Sequence, residues 1–378
     1  MELKILELKE KAKSLPNKPG VYFMKDFMDN IIYIGKSKNL RNRVSSYFIN
    51  NSSISNKVKE MIGNIENFEY FLTDTEVEAL LLESKLIKEK QPMYNRQLKN
   101  TRRYVYISIS VHEEYPRIKV VYEKEDKNYM YFGPYPSLSS AERAIELIKG
   151  YYPIIQCNNP HNKKEVCLNY HLKKCCGACQ RKISISEYNR LIENIIELLK
   201  GNRDDVIKII EENMISASKD LNFAKAAVYR DQIAGTKAIL NMEKIIDNTR
   251  KGEILLSFEA IEKNKVKCFF IQGNIIINKL LLSWESSNTE DIINEVKNFI
   301  NCSKRVLEIN SKIKNKVIDR DNIDNILIVA SYLKGNNPFM GSIPIDNNKI
   351  NNREEIKRIS IEGIELAINL IDRLIGSE

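Results

Sequence analysis

Tyr22, Tyr33, Lys36, Arg43 and Glu83 are the side chains in this chain whose types and order suit the hydrolysis of a phosphodiester. The segments Gly20-Val21-Tyr22 and Tyr33-Ile34-Gly35 lie on two short β-prone runs, Gly20 to Phe23 and Ile31 to Ile34. Polar Asp26, Asp29 and Asn30 between them suit a turn, and the whole reads as a hairpin. Paired side chains on one face of a hairpin lie about 5 Å apart, so two phenols and Lys36 would share a small surface. A phenol is a weak base at its ordinary pKa near 10, but a nearby cation favours the phenolate and makes proton abstraction from water feasible. The reaction also needs positive charge on the phosphoryl oxygens and a metal for the leaving oxygen. The helix read after the hairpin offers Arg43, and a later helix offers Glu83 as an oxygen ligand for Mg²⁺ or Mn²⁺.

Sulfur ligands form a second group. Of seven cysteines, five fall between Cys157 and Cys179. Cys157, Cys167, Cys175 and Cys179 are separated by nine, seven and three residues, which lets four thiolates converge on one site, with Cys176 spare. Spacing alone leaves a structural Zn²⁺ and an iron–sulfur cluster equally open, and for zinc His161 or His171 could replace a cysteine.

The elements that must position these groups are mixed. Lys36 to Asn50 is basic with Leu40, Val44 and Tyr47 at helical spacing and reads as one amphipathic helix, carrying Lys36, Lys38, Arg41 and Arg43. Phe68 to Leu72 reads as a strand, and Thr75 to Lys90 as a helix with Ala79, Leu82 and Leu86 on one face. Strands follow at Tyr104 to Val111, Arg117 to Tyr122 and Tyr129 to Phe132, then a helix at Leu138 to Lys149. From Ser186 to about Lys244 the pattern is helical with a turn at Gly201 to Asp204. Ile254 to Ile261, Val266 to Ile271 and Ile275 to Trp284 read as strands, Thr289 to Asn301 and Arg353 to Ile375 as helices. The expected class is α+β multidomain: a small mixed domain over 1–100, its extension over 101–152, a cysteine-rich segment over 153–183, a helical region over 184–248, and a C-terminal α/β domain over 249–378.

The 378 residues exceed what one core usually supports. Fifty-nine Lys and Arg against fifty Asp and Glu give a net charge of +9, compatible with a polyanionic partner but equally with solubility alone. Lys36, Lys38, Arg41 and Arg43, with Lys99, Arg102 and Arg103 further on, are candidates for phosphate contacts that do not read bases. Met1 to Gly20 lacks the apolar core of a signal peptide and no stretch is apolar enough to span a membrane, so a soluble, cytoplasmic chain with no membrane partner is expected.

Several segments resemble one known family. PGVYFMKD, then IIYIGKSKNLRNRVSSYF, then TEVEALLLESKLIKEKQPMYN, follow in order the GIY-YIG nuclease domain in its UvrC form. YFGPY from Tyr131 matches the same family, with a structural role first, and CLNYHLKKCCGAC resembles its cysteine segment. Met214 to Leu240, MISASKDLNFAKAAVYRDQIAGTKAIL, resembles the UVR motif, with Ala224 where glutamate is common. FFIQGNIIINKLLLSW and the helix after it resemble the domain that follows this motif.

The resemblance implies that Tyr22 and Tyr33 activate water with Lys36 assisting, Arg43 stabilises the phosphate, Tyr47 belongs to the site, Glu83 holds a single Mg²⁺ or Mn²⁺, and Asn95 orders the site. It implies a 4Fe-4S cluster on the four cysteines, structural Zn²⁺ being the alternative. Phe223, Ala227, Arg230, Asp231 and Ile233 would meet UvrB. The expected function is incision of damaged duplex DNA on the 3′ side of a UvrB-marked lesion. The family's RNase H-like and helix-hairpin-helix domains are expected to be missing, so another protein would make the 5′ cut. Two other readings are a UvrB-binding adaptor that cuts little and a free-standing GIY-YIG nuclease.

Overall fold

A computed structural model describes residues 2–49, 55–95, 104–124, 126–157, 165–284, 288–312, 318 and 322–377. Contacts divide the chain into two compact units, one of Met1–Asn100, Asn248–Val317 and Asp321–Glu378, the other of Thr101–Asp247 and Ile318–Arg320.

The first unit opens with helix α1 (Glu2–Lys13) and the hairpin β1 (Gly20–Lys25) and β2 (Ile31–Ser37). Asp26 closes the turn by accepting the N–H groups of Met28 and Asn30, both at 2.9 Å. Strand β3 (Asn67–Leu72) pairs with the other side of β1, so β2 lies at an edge of an antiparallel sheet ordered β2-β1-β3. Alternate side chains of β1 go to opposite faces, as the pleat requires. Tyr22 and Met24 pack with Leu8 and Ala12 of α1 and with Leu40 and Val44 of α2 (Leu40–Ser45). Val21 and Phe23 pack with Ala79 and Ile87 of α4 (Glu76–Lys90), which follows α3 (Asn56–Asn64).

The basic stretch from Lys36 is not one helix. Lys36 and Ser37 remain in β2, Asn39 caps α2 by accepting the N–H of Asn42 at 3.0 Å, and a 3-10 turn, Ser46–Phe48, follows. An N-cap fixes where helical backbone begins, and here that is after Lys38.

In the second unit, β4 (Val105–Ile109), β5 (Ile118–Val121) and β6 (Met130–Tyr135) form an antiparallel sheet ordered β5-β4-β6, followed by α5 (Leu138–Tyr151). After α6 (Leu168–His171) and α7 (Ile185–Leu199), helices α8 (Asp205–Lys219) and α9 (Phe223–Lys251) turn about Leu221, whose φ of 58° marks the break. Glu243 of α9 accepts from the Gly133 N–H at 2.7 Å and from the Tyr135 hydroxyl at 2.6 Å. The YFGPY segment is thus a structural strand tied to the long helix.

From Asn248 the chain returns to the first unit as β7 (Ile254–Glu262), β8 (Lys265–Gln272), β9 (Ile275–Ser283), α10 (Thr289–Lys312), α11 (Ile323–Lys334), β10 (Met340–Ile345) and α12 (Arg353–Gly376). The sheet runs β10-β7-β8-β9, all antiparallel. One face, with Leu256, Phe258 and Phe270, packs on Val296 and Ile300 of α10 and Ile359 and Leu370 of α12. The other face, with Phe269 and Ile271, packs on Val329 of α11 and on Val77 of α4. Among the described residues, no helix is long and apolar enough to cross a membrane.

Ion pairs join α4 to this sheet. Glu78, 8% exposed, lies 3.2 Å from the ammonium of Lys267, 6% exposed, and 2.5 Å from that of Lys279. Lys267 also pairs with Asp74. Stripping one partner from a buried pair leaves the other charge desolvated, whereas replacing both with neutral groups of similar shape does not. Lys267→Met should therefore lower the unfolding free energy by about 3 kcal/mol, the low end for such a loss because Lys279 stays beside Glu78. Glu78→Gln combined with Lys267→Met should recover most of it, as read by urea unfolding.

Candidate active site

The register of the hairpin sets the geometry. Tyr22 stands opposite Gly35, and Tyr33 stands opposite Met24, so the two tyrosines are diagonal neighbours on one face and not a directly opposed pair. Their ring centroids are 6.1 Å apart. Gly35 makes this possible: a Cβ there would run into the phenol of Tyr22. Tyr47, from the 3-10 turn after α2, completes a triangle, 5.9 Å from Tyr22 and 6.4 Å from Tyr33 between centroids. The hydroxyls of Tyr22 and Tyr47 are 2.8 Å apart. Arg43 of α2 donates to the Tyr47 hydroxyl at 3.1 Å, with its guanidinium carbon 5.1 Å from that ring's centroid.

Burial, and not the nearby cation, dominates the phenols. Tyr22 is fully buried, and burial holds it well above its ordinary pKa, reinforced by Tyr47 and Tyr33 and opposed by Arg43. Tyr33 is half-buried and is raised first by burial, then by Tyr47 and by the Glu83 carboxylate, with Arg43 again opposing. The expectation that a cation would bring these phenols down is therefore corrected, because the desolvation cost of a phenolate here exceeds its attraction to one guanidinium. Arg43 is itself held above its ordinary value, since the phenols of Tyr22 and Tyr47 outweigh its burial.

Glu83, from α4, reaches the edge of β2, where its Oε1 accepts the Lys36 N–H at 3.0 Å. Burial raises its pKa, against the lowering influence of that N–H, of Lys36 and of Arg43. The Lys36 ammonium donates to Glu76 Oε1 at 2.6 Å, and Lys38 pairs with the other oxygen at 2.8 Å. Asn95 is buried, and its side chain holds both main-chain groups of Ile34, accepting from N–H at 2.9 Å and donating to C=O at 2.8 Å. The structure thus gathers Tyr22, Tyr33, Tyr47 and Arg43 beside β2, and pins Glu83 and Asn95 to its edge. Glu76 was missed from sequence; its spacing of seven from Glu83, two helical turns, was the available signal. A half-buried carboxylate with a single main-chain N–H donor and, among the described residues, no ammonium group paired to it fits a hard divalent cation, an oxygen-seeking ion.

The other expected residues divide. Arg41 donates to the Leu15 carbonyl at 2.6 Å, which ties α2 to the end of the α1 segment and gives this arginine a structural bond. Lys38 is exposed. Lys99, Arg102, Arg103 and His161 lie outside the described residues. The cysteines are not gathered: among the described residues no group of three or more His, Cys, Asp or Glu stands ready to hold a metal. Cys175 is buried, and its thiol hydrogen-bonds Cys176, which is raised chiefly by that bond. Cys167 instead precedes α6, and Cys179 sits on the 3-10 turn Ala178–Gln180.

On the α8–α9 hairpin, Phe223 is 64% exposed and lines an open groove of about 600 Å³ with Ala227, Arg230, Met214 and Ile215. Asp231 pairs with Arg230 at 2.8 Å. Ile233 is buried, so it supports the hairpin and offers no contact surface.

Removing the Asn95 amide leaves a buried N–H and C=O at the strand edge without partners. Asn95→Ala should destabilise the protein by at least about 2 kcal/mol in chemical unfolding.

Comparison with known proteins follows the same division. Residues 18–96 match the UvrC-like GIY-YIG domain, residues 104–198 the middle domain of the UvrC/Cho excinucleases, and residues 204–238 the UvrB/uvrC motif. UvrABC system protein C of Alkaliphilus oremlandii is 34% identical over 383 residues, covering 97% of this chain and 60% of that protein. The Clostridium acetobutylicum protein of the same name is 37% identical over 299 residues, covering 77% of this chain and 48% of its own length. The chain therefore spans about half to three-fifths of these relatives. The solved N-terminal GIY-YIG endonuclease domain of Thermotoga maritima UvrC, bound to magnesium, is 36% identical over 24% of this chain and 97% of its own, with a TM-score of 0.22.

Proposed function

The chain belongs to the UvrC family, and we propose that its GIY-YIG domain is a metal-dependent endonuclease that makes one incision in damaged duplex DNA, on the 3′ side of a lesion marked by UvrB. The observation that carries this reading is the convergence on strand β2 of three phenols, the Arg43 guanidinium and the Glu83 carboxylate. A Mg²⁺ or Mn²⁺ held by Glu83 would supply positive charge to the scissile phosphate and offset the carboxylate that now helps to raise Tyr33. Arg43 supplies a fixed positive charge for the phosphoryl oxygens as their charge grows. Tyr33 takes the proton from water: both phenols hydrogen-bond Tyr47, but Tyr33 is half-buried and open to solvent, whereas Tyr22 is enclosed. Lys36, held by Glu76, keeps a second cation beside the strand.

DNA is held by Lys36, Lys38 and Arg43 through its phosphates, with Lys99, Arg102 and Arg103 adding to them. UvrB meets the exposed end of the α8–α9 hairpin at Phe223, Ala227 and Arg230. Cys157, Cys167, Cys175 and Cys179 would come together only as they take up a 4Fe-4S cluster or Zn²⁺, since a soft-metal site is seldom preformed without its ion.

Each part of this reading has its own test. Glu83→Gln should abolish metal-dependent nicking of lesion-bearing, end-labelled DNA in the presence of UvrB, and products mapping to the 5′ side would sink the assignment. Tyr33→Phe should slow cleavage on the order of 10²-fold or more with metal binding retained. The raised pKa of Glu83 also fixes a sign. A proton and a cation compete for it, so metal affinity should rise with pH through and above the ordinary carboxylate range, then level off once Glu83 is ionised. Over the same interval the metal-free wild type should lose stability as pH rises, because its folded-state carboxyl holds its proton more tightly than the unfolded one, and Glu83→Gln should remove that slope. For the cysteines, iron, sulfide and zinc analysis of anaerobically purified protein should find one of the two metals in stoichiometric amount; fully metal-free protein that still folds and binds DNA would remove that part.

A further inference from the structure

We propose that the sheet formed after Asn248 is a clamp on the metal-bearing helix α4, and that Lys267 and Glu78 are positioning residues for Glu83 and Glu76. The inference rests on Glu83 as the metal ligand. Helix α4 is buried on opposite sides. Ala79, Leu82 and Leu86 meet the nuclease sheet, on the side from which Glu83 and Glu76 reach Lys36. Val77 and Leu81 meet Phe269 and Ile271 of β8 and Val329 of α11. The two stripes follow from helical periodicity: residues 77 and 81 lie one above the other, and residues 76 and 83 share a different line.

Ion pairs pin the helix near both ends. At its start, Lys267 holds Asp74 and Glu78 together, and Glu78 Oε2 in turn accepts the N–H of the capping residue Thr75 at 3.2 Å. Near its end, Lys88 pairs with buried Asp324 of α11 at 2.9 Å. A rod gripped at both ends and along its back cannot slide or rotate without breaking these contacts. Any such movement would change where Glu83 meets the Lys36 N–H and where Glu76 meets the Lys36 ammonium. Ligand orientation of this kind, set by residues that do not touch the ion, is worth about 10-fold to 100-fold in metal affinity.

The test uses the full chain and Mn²⁺ alone, read by titration calorimetry without DNA. Lys267→Met and Val329→Ala loosen the clamp. Ile300→Val, on α10 and packed against the face of the same sheet that turns away from α4, serves as a control for general loss of stability. Urea unfolding identifies conditions in which every variant remains folded. The clamp variants should bind Mn²⁺ about 10-fold more weakly or worse. Lys267→Arg should restore most of the affinity, and Ile300→Val should bind as the wild type does. Hydrogen exchange should be faster in α4 of the clamp variants. Wild-type affinity in folded Lys267→Met and Val329→Ala, or equal weakening in Ile300→Val, would overturn the clamp while leaving the nuclease reading standing. Failure of the wild type itself to bind Mn²⁺, with Glu83→Gln indistinguishable from it, would instead remove the nuclease reading.

Discussion

The unpaired edge of strand β2 is the constraint on which the site depends. An edge strand presents a row of main-chain donors and acceptors that must find partners when protein covers them. Here Tyr94 donates its N–H to the Ile32 carbonyl at 2.9 Å, Asn95 takes both groups of Ile34, and Glu83 takes the N–H of Lys36. Three of these four bonds extend the sheet by imitating another strand. The fourth ends in a carboxylate. The requirement that satisfies the sheet edge is therefore the same one that holds the acid in place, and its position does not rest on a mobile loop.

On the other side of the hairpin a second requirement operates. Three aromatic rings share one face, and they fit because the position opposite Tyr22 carries no side chain. Packing them buries Tyr22 completely and leaves Tyr33 partly open, so two phenols close in sequence acquire different access to water. Burial also makes both harder to ionise, which means that proximity alone does not create a base at this site. A phenol acting as a base here would need added positive charge near Tyr33, of which Arg43 supplies part.

Much of this was legible in the residues. The β-prone runs Gly20 to Phe23 and Ile31 to Ile34 and the Asp- and Asn-rich turn between them identified the hairpin, though not that β1 is buried along its whole length. Its register was not legible, because a one-residue irregularity between Met24 and Lys25 places Tyr33 opposite Met24. Helix α1 went unread since its charged residues mask Leu8 and Ala12, which only the sheet reveals as core. The strand β10 and helix α11 were hidden for a similar reason: their burial is supplied by partners distant in sequence. The clearest gap concerns α4. Its apolar residues lie all round, a sign of burial on two sides that was read as one amphipathic face. The cysteines show the converse limit, because spacing reports which thiols could converge and says nothing of whether the surrounding chain brings them together.

Helix α4 contains its own comparison. Three of its acids turn toward protein: Glu76, Glu78 and Glu83. Glu76 faces two ammonium groups, and although burial pushes its carboxyl up, Lys36 and Lys38 outweigh that and leave it below the ordinary range. Glu78 likewise has two ammonium groups against it, from Lys267 and Lys279. Glu83 is given a main-chain N–H and more distant cations, and it is the one held above the ordinary range. A fold that pairs two acids of one helix, one buried and one partly buried, with lysines has the means to do so for a third. Where such matching stops, at an acid fixed by a sheet edge beside an arginine and three phenols, the charge imbalance points to a functional role and to a ligand of positive charge.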